Sequence, residues 1–314
     1  MVCAPPVPET FVKGNMRTQE RASTAIFLAR SRPRRTGVDD GAAHDDRGML
    51  VVMRVLVTGA GRSIGRATAE VLADRGHEVV ATARDVTVLD DLKVAQVLSL
   101  DVRSMSSIAA AVNAAGDLDA VVNNAGLTGL GPLEDYPLDD FSRVLDVNTL
   151  GPLRLVQAVV SRWRERGSGV LVNISSVQGR IGTPLEGVYA ASKHALEALS
   201  ETLHFELGHF GIRVVIVEPG YIAPGMKHSA DHEGPAVYRE LHDQWNGTAD
   251  TLTGPEGRPG PELVGYAVAD ALEDPATPLR VEVGKDAAMI LALRRAQSDA
   301  EFEATMRAAL GLTW

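Results

Sequence analysis

Tyr189 and Lys193 stand four residues apart in the run VYAASKHALEALSETLHFEL, and Ser176 precedes the tyrosine by thirteen residues. A helix over residues 188–207 puts the phenol and the ammonium one turn apart on one face. Such a pair can work as acid and base. The ammonium favours phenolate, so the tyrosine pKa is expected to fall from about 10 towards neutrality. A hydroxyl such as Ser176 could then hold a carbonyl or alcohol oxygen while Tyr189 exchanges a proton with it. Spacing alone does not separate this from a surface helix that carries Tyr and Lys, because i,i+4 pairs are common on helices. The surrounding elements have to decide.

Those elements alternate. Read in order, MRVLVTG, HEVVATAR, VAQVLSLDV, LDAVVNNAG, GVLVNISS, IRVVIVEPG and LRVEVG are strand-like, and MRVLVTG is a near-continuous β-branched run of the kind buried on both faces. Helical segments lie between them. In IGRATAEVLADRG, Ile64, Ala67, Val71 and Leu72 recur at helical spacing and Gly76 supplies the stop. Others are SSIAAAVNAAG, the long stretch from Pro137 to Gly167, and the Tyr189 helix, which Glu197, Glu201 and Glu206 mark as amphipathic. Strands alternating with such helices predict an α/β fold, a doubly wound parallel sheet of the Rossmann type.

The turn after the first strand is Thr58-Gly59-Ala60-Gly61-Arg62-Ser63-Ile64-Gly65. Glycines let the backbone approach a pyrophosphate, and the next helix offers unpaired N–H groups and a positive dipole end. Between a first strand and a helix, this turn points to a dinucleotide cofactor. The second strand ends Thr82-Ala83-Arg84. Arg62 and Arg84 would match the charge and geometry of a 2′-phosphate, so NADP is expected over NAD. Asp85 is the competing residue: a register shift would let it accept from a ribose hydroxyl instead.

The bulk numbers exclude several classes. The chain has 314 residues, 45% hydrophobic, with a net charge of -10, so no nucleic-acid partner is expected. Cys3 is the single cysteine, which rules out an internal disulfide and fits a reducing, cytoplasmic setting. No apolar run approaches the ~18 residues a membrane helix needs. Residues 1–48 are rich in Pro, Arg and Asp and are expected to be a disordered tail, or to precede the true start at Met49 or Met53. The α/β domain is expected over 49–290, followed by a helical tail over 291–314. Within the domain, about 224–261 is long and Gly- and Pro-rich, and is read as a lid whose Met226, Tyr238 and Trp245 face an apolar substrate. The lid's His228, His232 and His242 fit no metal-binding pattern, so no metal is expected.

At this point several separated motifs agree, and the chain resembles the short-chain dehydrogenase/reductase family. Thr58 to Gly65 resembles its TGxxxGxG, Asn123-Asn124-Ala125-Gly126 its NNAG, VNTLG at Asn148 its catalytic-asparagine helix, Ser176, Tyr189 and Lys193 its S…YxxxK, and Pro219-Gly220 its PG after the sixth strand. The resemblance covers about residues 53–290. YAASKHALEALSE, the ARD after the second strand and the C-terminal extension look closest to the 17β-hydroxysteroid/retinol dehydrogenase-like members. The resemblance implies an oxidoreductase moving a hydride between NADP and a secondary alcohol or carbonyl, with reduction the favoured direction. Tyr189 would be the general acid/base, Lys193 would bind the nicotinamide ribose and lower the tyrosine pKa, Ser176 would orient the substrate, and Asn148 would hold a relay water. Gly59, Gly61, Arg62, Ser63, Ile64 and Gly65 would hold the phosphates. Asp101 and Val102 would contact the adenine. Asn124, Ala125, Gly126, Pro219, Gly220 and Ile222 would line the rest of the cofactor, and Thr58 would also bond the NNAG segment.

Two positions depart from the pattern. Ser63 replaces the middle glycine, where a small side chain is expected to be tolerated. Pro224 replaces a threonine that bonds the carboxamide. A catalytically silent nucleotide sensor on the same fold is the alternative, and an epimerase or dehydratase would more often carry a separate substrate domain. The resemblance also implies a homodimer or homotetramer paired through the helices around 140–165 and 189–208.

Overall fold

The computed structural model describes residues 51–226, 231–246, 248 and 257–314. The expected disordered segment 1–48 lies outside them, as does part of the lid. Seven strands form one parallel sheet in the order β3-β2-β1-β4-β5-β6-β7. They are β1 (Arg54–Thr58), β2 (Glu78–Ala83), β3 (Gln96–Ser99), β4 (Ala120–Asn123), β5 (Gly169–Ile174), β6 (Ile212–Pro219) and β7 (Arg280–Val283). All seven strand-like segments are present. The helices are α1 (Ser63–Asp74), α2 (Met105–Ala115), α3 (Leu138–Leu145), α4 (Gly151–Arg166), α5 (Gly187–Gly208), α6 (Arg239–Asn246), α7 (Glu262–Glu273), α8 (Lys285–Ala296) and α9 (Asp299–Leu310).

The apolar runs are continuous because both faces of the sheet are covered. Along β1, Val55 and Val57 join one core with Val71 and Leu72 of α1 and Val264 and Val268 of α7. Leu56, between them, points to the other core, with Ile108 and Val112 of α2 and Leu155 and Trp163 of α4. A period of two within an all-apolar strand thus serves two layers. The chain leaves β1 for β2 and β3 on one side and returns on the other side through β4. That reversal between β1 and β4 is where an open α/β sheet parts its connections and leaves a crevice at the carboxyl ends of its strands.

A polar ladder fixes α5 against this sheet. Asn123 Nδ2 donates to Asn173 Oδ1 at 2.8 Å, Asn173 Nδ2 donates to Ser200 Oγ at 2.8 Å, and Ser200 Oγ donates to the Leu196 carbonyl at 2.6 Å. All three side chains are buried, so each bond satisfies a group that water cannot reach. The tail is not an appendage. The expected boundary after residue 290 falls inside α8, because Ala287 and Leu291 pack on Val177. Leu310 and Leu312 pack with Leu130, Leu185, Leu241 and Trp245. Among the described residues no helix is long and apolar enough to cross a membrane.

Asn173→Ala should therefore lower stability by about 2–3 kcal/mol, read as a lower urea midpoint, because it strands two buried partners. An unchanged midpoint would mean the ladder does not hold α5.

Candidate active site

A cavity of about 970 Å³ opens along the carboxyl ends of the strands. Its lining joins Ser176, Tyr189 and Lys193 to Gly59, Gly61, Arg62, Ser63, Ile64 and Gly65 and, beyond β2 and β3, to Arg84, Asp101 and Val102. Asn124, Ala125, Gly126, Pro219, Gly220 and Ile222 complete the wall. The helix predicted over 188–207 is α5, and it carries Tyr189 and Lys193 on the side facing this space.

Lys193 is only 4% exposed. Its Nζ donates to the Ile174 carbonyl at 2.7 Å, at the end of β5, and lies 5.5 Å from the Tyr189 ring centroid. Burial draws Lys193 down to about 8, against the opposing pull of Glu197. Tyr189 departs from expectation. Burial pushes its phenol above the ordinary tyrosine range, Ser176 opposes this, and the Glu186 carboxylate adds to it. The ammonium stands over the ring, and its attraction for phenolate does not overcome desolvation. At neutral pH the residue is a phenol with a proton to give.

Two expected site residues do not line the cavity. Thr58 Oγ1 accepts from the N–H groups of Asn124 at 2.9 Å and Ala125 at 3.0 Å, and it donates to the Val122 carbonyl. This bears out the bond to the NNAG segment and leaves no free hydroxyl for a cofactor. Asn148 sits in a π-helical turn, Asp146–Leu150, between α3 and α4. Its Oδ1 accepts from Leu127 N–H at 2.8 Å, and its Nδ2 donates to the Leu127 carbonyl at 2.8 Å and Ser192 Oγ at 2.9 Å. Both amide hydrogens are used, so the side chain braces the wall and α5 instead of donating to a water.

At the cofactor end the glycines are held by packing. A side chain at Gly65 would run into Asn124 Nδ2 and the Gly59 carbonyl, and Gly59 itself has φ +67°. Ser63 takes φ +46°, the left-handed region that its glycine counterpart adopts freely. The expected tolerance therefore carries backbone strain. Asp85 Oδ1 caps the 3₁₀ turn Val86–Leu89, accepting from Thr87 N–H at 3.0 Å and Thr87 Oγ1 at 2.7 Å. Among the described residues the guanidiniums of Arg62 and Arg84 make no side-chain hydrogen bond or ion pair. Arg103, also in the lining, was not anticipated; it pairs with Asp101 at 3.0 Å and holds that carboxyl below its ordinary value. The cleft and the N–H groups at the start of α1 fit a dinucleotide cofactor.

At the other end, Met226 and Trp245 line the cavity as expected. Tyr238 does not: it lies against Trp314, with ring centroids 5.7 Å apart. Gln178, Glu186, Tyr221 and Arg258 also line the cavity, and no sequence pattern marked them. Gln178 Nε2 donates to Glu186, and Arg258 lies 5.8 Å from the Tyr221 ring centroid. Pro224, in place of the threonine, follows a cis peptide bond. Of the three lid histidines, His228 lies outside the described residues, His232 Nε2 is 3.1 Å from Asp140 Oδ2, and His242 Nε2 is 3.1 Å from the Glu233 carbonyl. Among the described residues no group of three or more His, Cys, Asp or Glu is arranged to hold a metal.

Comparison with known proteins agrees with this geometry. A family model described as short chain dehydrogenase matches residues 53–234, more than half of the chain. 3-Ketodihydrosphingosine reductase of Bacteroides thetaiotaomicron is 31% identical over 242 residues, 73% of this chain and 87% of the relative. Human retinol dehydrogenase 8 is 40% identical over 179 residues, 53% of this chain and 58% of the relative. Among solved structures, a short-chain dehydrogenase from Streptomyces avermitilis superposes with a TM-score of 0.71 at 35% identity, covering 84% of this chain and 100% of that one. A gluconate 5-dehydrogenase from Burkholderia cenocepacia, solved with NADP and tartrate, gives a TM-score of 0.62 at 27% identity, covering 76% of this chain and 95% of that one.

Ser63→Gly should raise stability by about 0.5–1 kcal/mol, since relief of the left-handed strain exceeds the added freedom of the unfolded chain. A lower thermal midpoint would show that the hydroxyl contributes more than the backbone costs.

Proposed function

The chain belongs to the short-chain dehydrogenase/reductase family and is a NAD(P)-dependent dehydrogenase acting on CH–OH groups; from that premise we propose that it uses NADP and that Tyr189 exchanges the proton with an apolar secondary alcohol or its ketone. One observation carries this reading. Ser176, Tyr189 and Lys193 share a single cavity with Arg62 and Arg84, whose guanidiniums have no side-chain partner among the described residues.

When bound, the cofactor supplies or accepts the hydride at the substrate carbon. The chain's residues do the rest. N–H groups at the start of α1 and the Gly59–Gly65 turn hold the pyrophosphate, Arg62 and Arg84 hold the 2′-phosphate, and Asp101 and Val102 border the adenine. The Lys193 ammonium holds the ribose hydroxyls. The Ser176 hydroxyl holds the substrate oxygen, and in reduction Tyr189 gives that oxygen its phenolic proton. Lys193 stabilises the resulting phenolate until solvent returns the proton. Oxidation runs the same transfer in reverse. The raised tyrosine favours the protonated start, which suits reduction. Asn148 acts as a positioning residue through Leu127 and Ser192.

For the substrate, Met226, Trp245, Leu130 and Val177 offer apolar walls. The names of two relatives, retinol dehydrogenase 8 and 3-ketodihydrosphingosine reductase, point to the same class of greasy alcohol or ketone.

Fluorescence titration should give NADPH at least about tenfold tighter than NADH, and Arg84→Ala should weaken NADPH roughly 10- to 100-fold while leaving NADH unchanged. A preference for NADH would overturn the phosphate reading. Tyr189→Phe should keep NADPH affinity and lose about 10²- to 10⁴-fold in turnover of an apolar ketone. Retained turnover would contradict the acid/base role.

A further inference from the structure

Beneath the cavity floor lies a second set of charges that the reaction does not use directly. Glu197 is one helical turn beyond Lys193 on α5 and is 4% exposed. The amphipathic reading of this helix is thus wrong at Glu197, which faces the interior. Glu218 is 1% exposed on β6, directly before Pro219-Gly220. Arg280, at the start of β7, joins them. Its Nη2 is 3.0 Å and its Nε 3.1 Å from Glu197 Oε2, and its Nε is 3.5 Å from Glu218 Oε1. Its Nη2 also reaches Glu201 at 2.5 Å.

This arrangement is expensive. Buried carboxylates lose their hydration, and one arginine shared between two of them returns only part of it. Among the described residues, three buried oxygens here, Ser175 Oγ, Glu197 Oε1 and Glu218 Oε1, have no hydrogen-bond partner. Ser175 Oγ and Glu197 Oε1 converge on Gly179, where an added Cβ would come within 2.6 Å and 3.0 Å of them. Gly179 N–H in turn donates to the Ser176 carbonyl at 2.8 Å. The carboxylates therefore abut the backbone that carries Ser175 and Ser176.

Building on the proposed role of Lys193, we infer that Glu197, held by Arg280, is a positioning residue whose charge keeps the buried Lys193 an ammonium in the working pH range. Among the described residues Lys193 has a single hydrogen bond, to a neutral carbonyl, and desolvation alone favours its neutral amine. Glu197 supplies the opposing charge. The other charged or titratable groups facing this pocket are Tyr189 and Glu201 on α5, Glu186 before it, Arg180 after β5, Glu218 on β6 and Glu282 on β7. Arg180 stands 3.7 Å from Glu218, and Glu282 is paired with Arg295 at 2.5 Å. Burial, with repulsion from Glu197 added to it, raises Glu218 to about 7, so at neutral pH Glu218 is not fully ionised.

The test follows NADPH affinity by fluorescence from pH 6 to pH 10 in the full chain. Wild type should lose affinity as Lys193 deprotonates near pH 8. In Glu197→Gln that loss should move towards acid by about one pH unit or more, because an opposing charge is gone. Glu197→Asp should restore most of the shift. Glu201→Gln removes a different partner of the same arginine and should leave the profile in place. A merely structural glutamate would lower the thermal midpoint without moving the profile, and an unmoved profile in Glu197→Gln overturns the inference. If wild type binds no NADPH, the cofactor reading has failed on its own. Lys193 is then titrated by its rate of acetylation with acetic anhydride, followed by mass spectrometry, where the same acid shift is expected and its absence is equally decisive.

Discussion

Burying one ammonium at the carboxyl end of β5 is the constraint around which the site is arranged. Lys193 has almost no contact with solvent, and among the described residues only the Ile174 carbonyl receives a hydrogen bond from it. Such a charge tolerates little movement, because any displacement removes its acceptor and leaves it unpaired in a low-dielectric interior. The helix that carries it is accordingly tied down by buried side chains. Ser200 is bonded to Asn173 of β5, and Ser192 is bonded to Asn148 of the π-helical turn. The geometry of Tyr189, one turn away, is inherited from these ties.

The same logic extends along the crevice. Where the strand order reverses, the backbone leaves the sheet ladder and its polar groups need other partners. Thr58 answers for Asn124 and Ala125, Asn124 for the carbonyls of Thr58 and Gly59, and Asn148 for both polar groups of Leu127. Of these three, Asn124 lines the cavity, and Thr58 and Asn148 brace the backbone that does. Among the described residues Arg62 and Arg84 line the same cavity with no side-chain hydrogen bond or ion pair, which is where added negative charge is best accommodated. Preorganisation of this kind means binding does not have to order the loops that do the binding.

The sheet was legible because its central strands are buried on both faces and read as apolar runs, each set off by a turn from helical segments of period 3.6. Ser176, Tyr189 and Lys193 were legible as residue types at fixed spacing. Charge states were not. The phenol's pKa depends on how far the ammonium lies from the hydroxyl and on how much water remains, neither of which is encoded in an i,i+4 spacing. Glu197 looked like a surface residue because glutamate usually is one; its burial depends on Arg280, which arrives from a strand 83 residues away. For the same reason Arg103, Gln178 and Glu186 reached the cavity unannounced, and Tyr238, an aromatic in the right segment, packs on Trp314 instead.

The central claim is that Tyr189 is the proton-exchanging group and that burial, opposed by the Ser176 hydroxyl, keeps it protonated in the free protein. The most direct measurement is an alkaline absorbance titration near 295 nm, taken as wild type minus Tyr189→Phe, without and with saturating NADP⁺. The account predicts that Tyr189 ionises above the ordinary tyrosine range in the free protein. NADP⁺ bound in this cavity would add the positive charge of its nicotinamide, and ionisation should then move down towards neutral pH. Identical titrations in the two conditions, or ionisation near neutrality without NADP⁺, would contradict it.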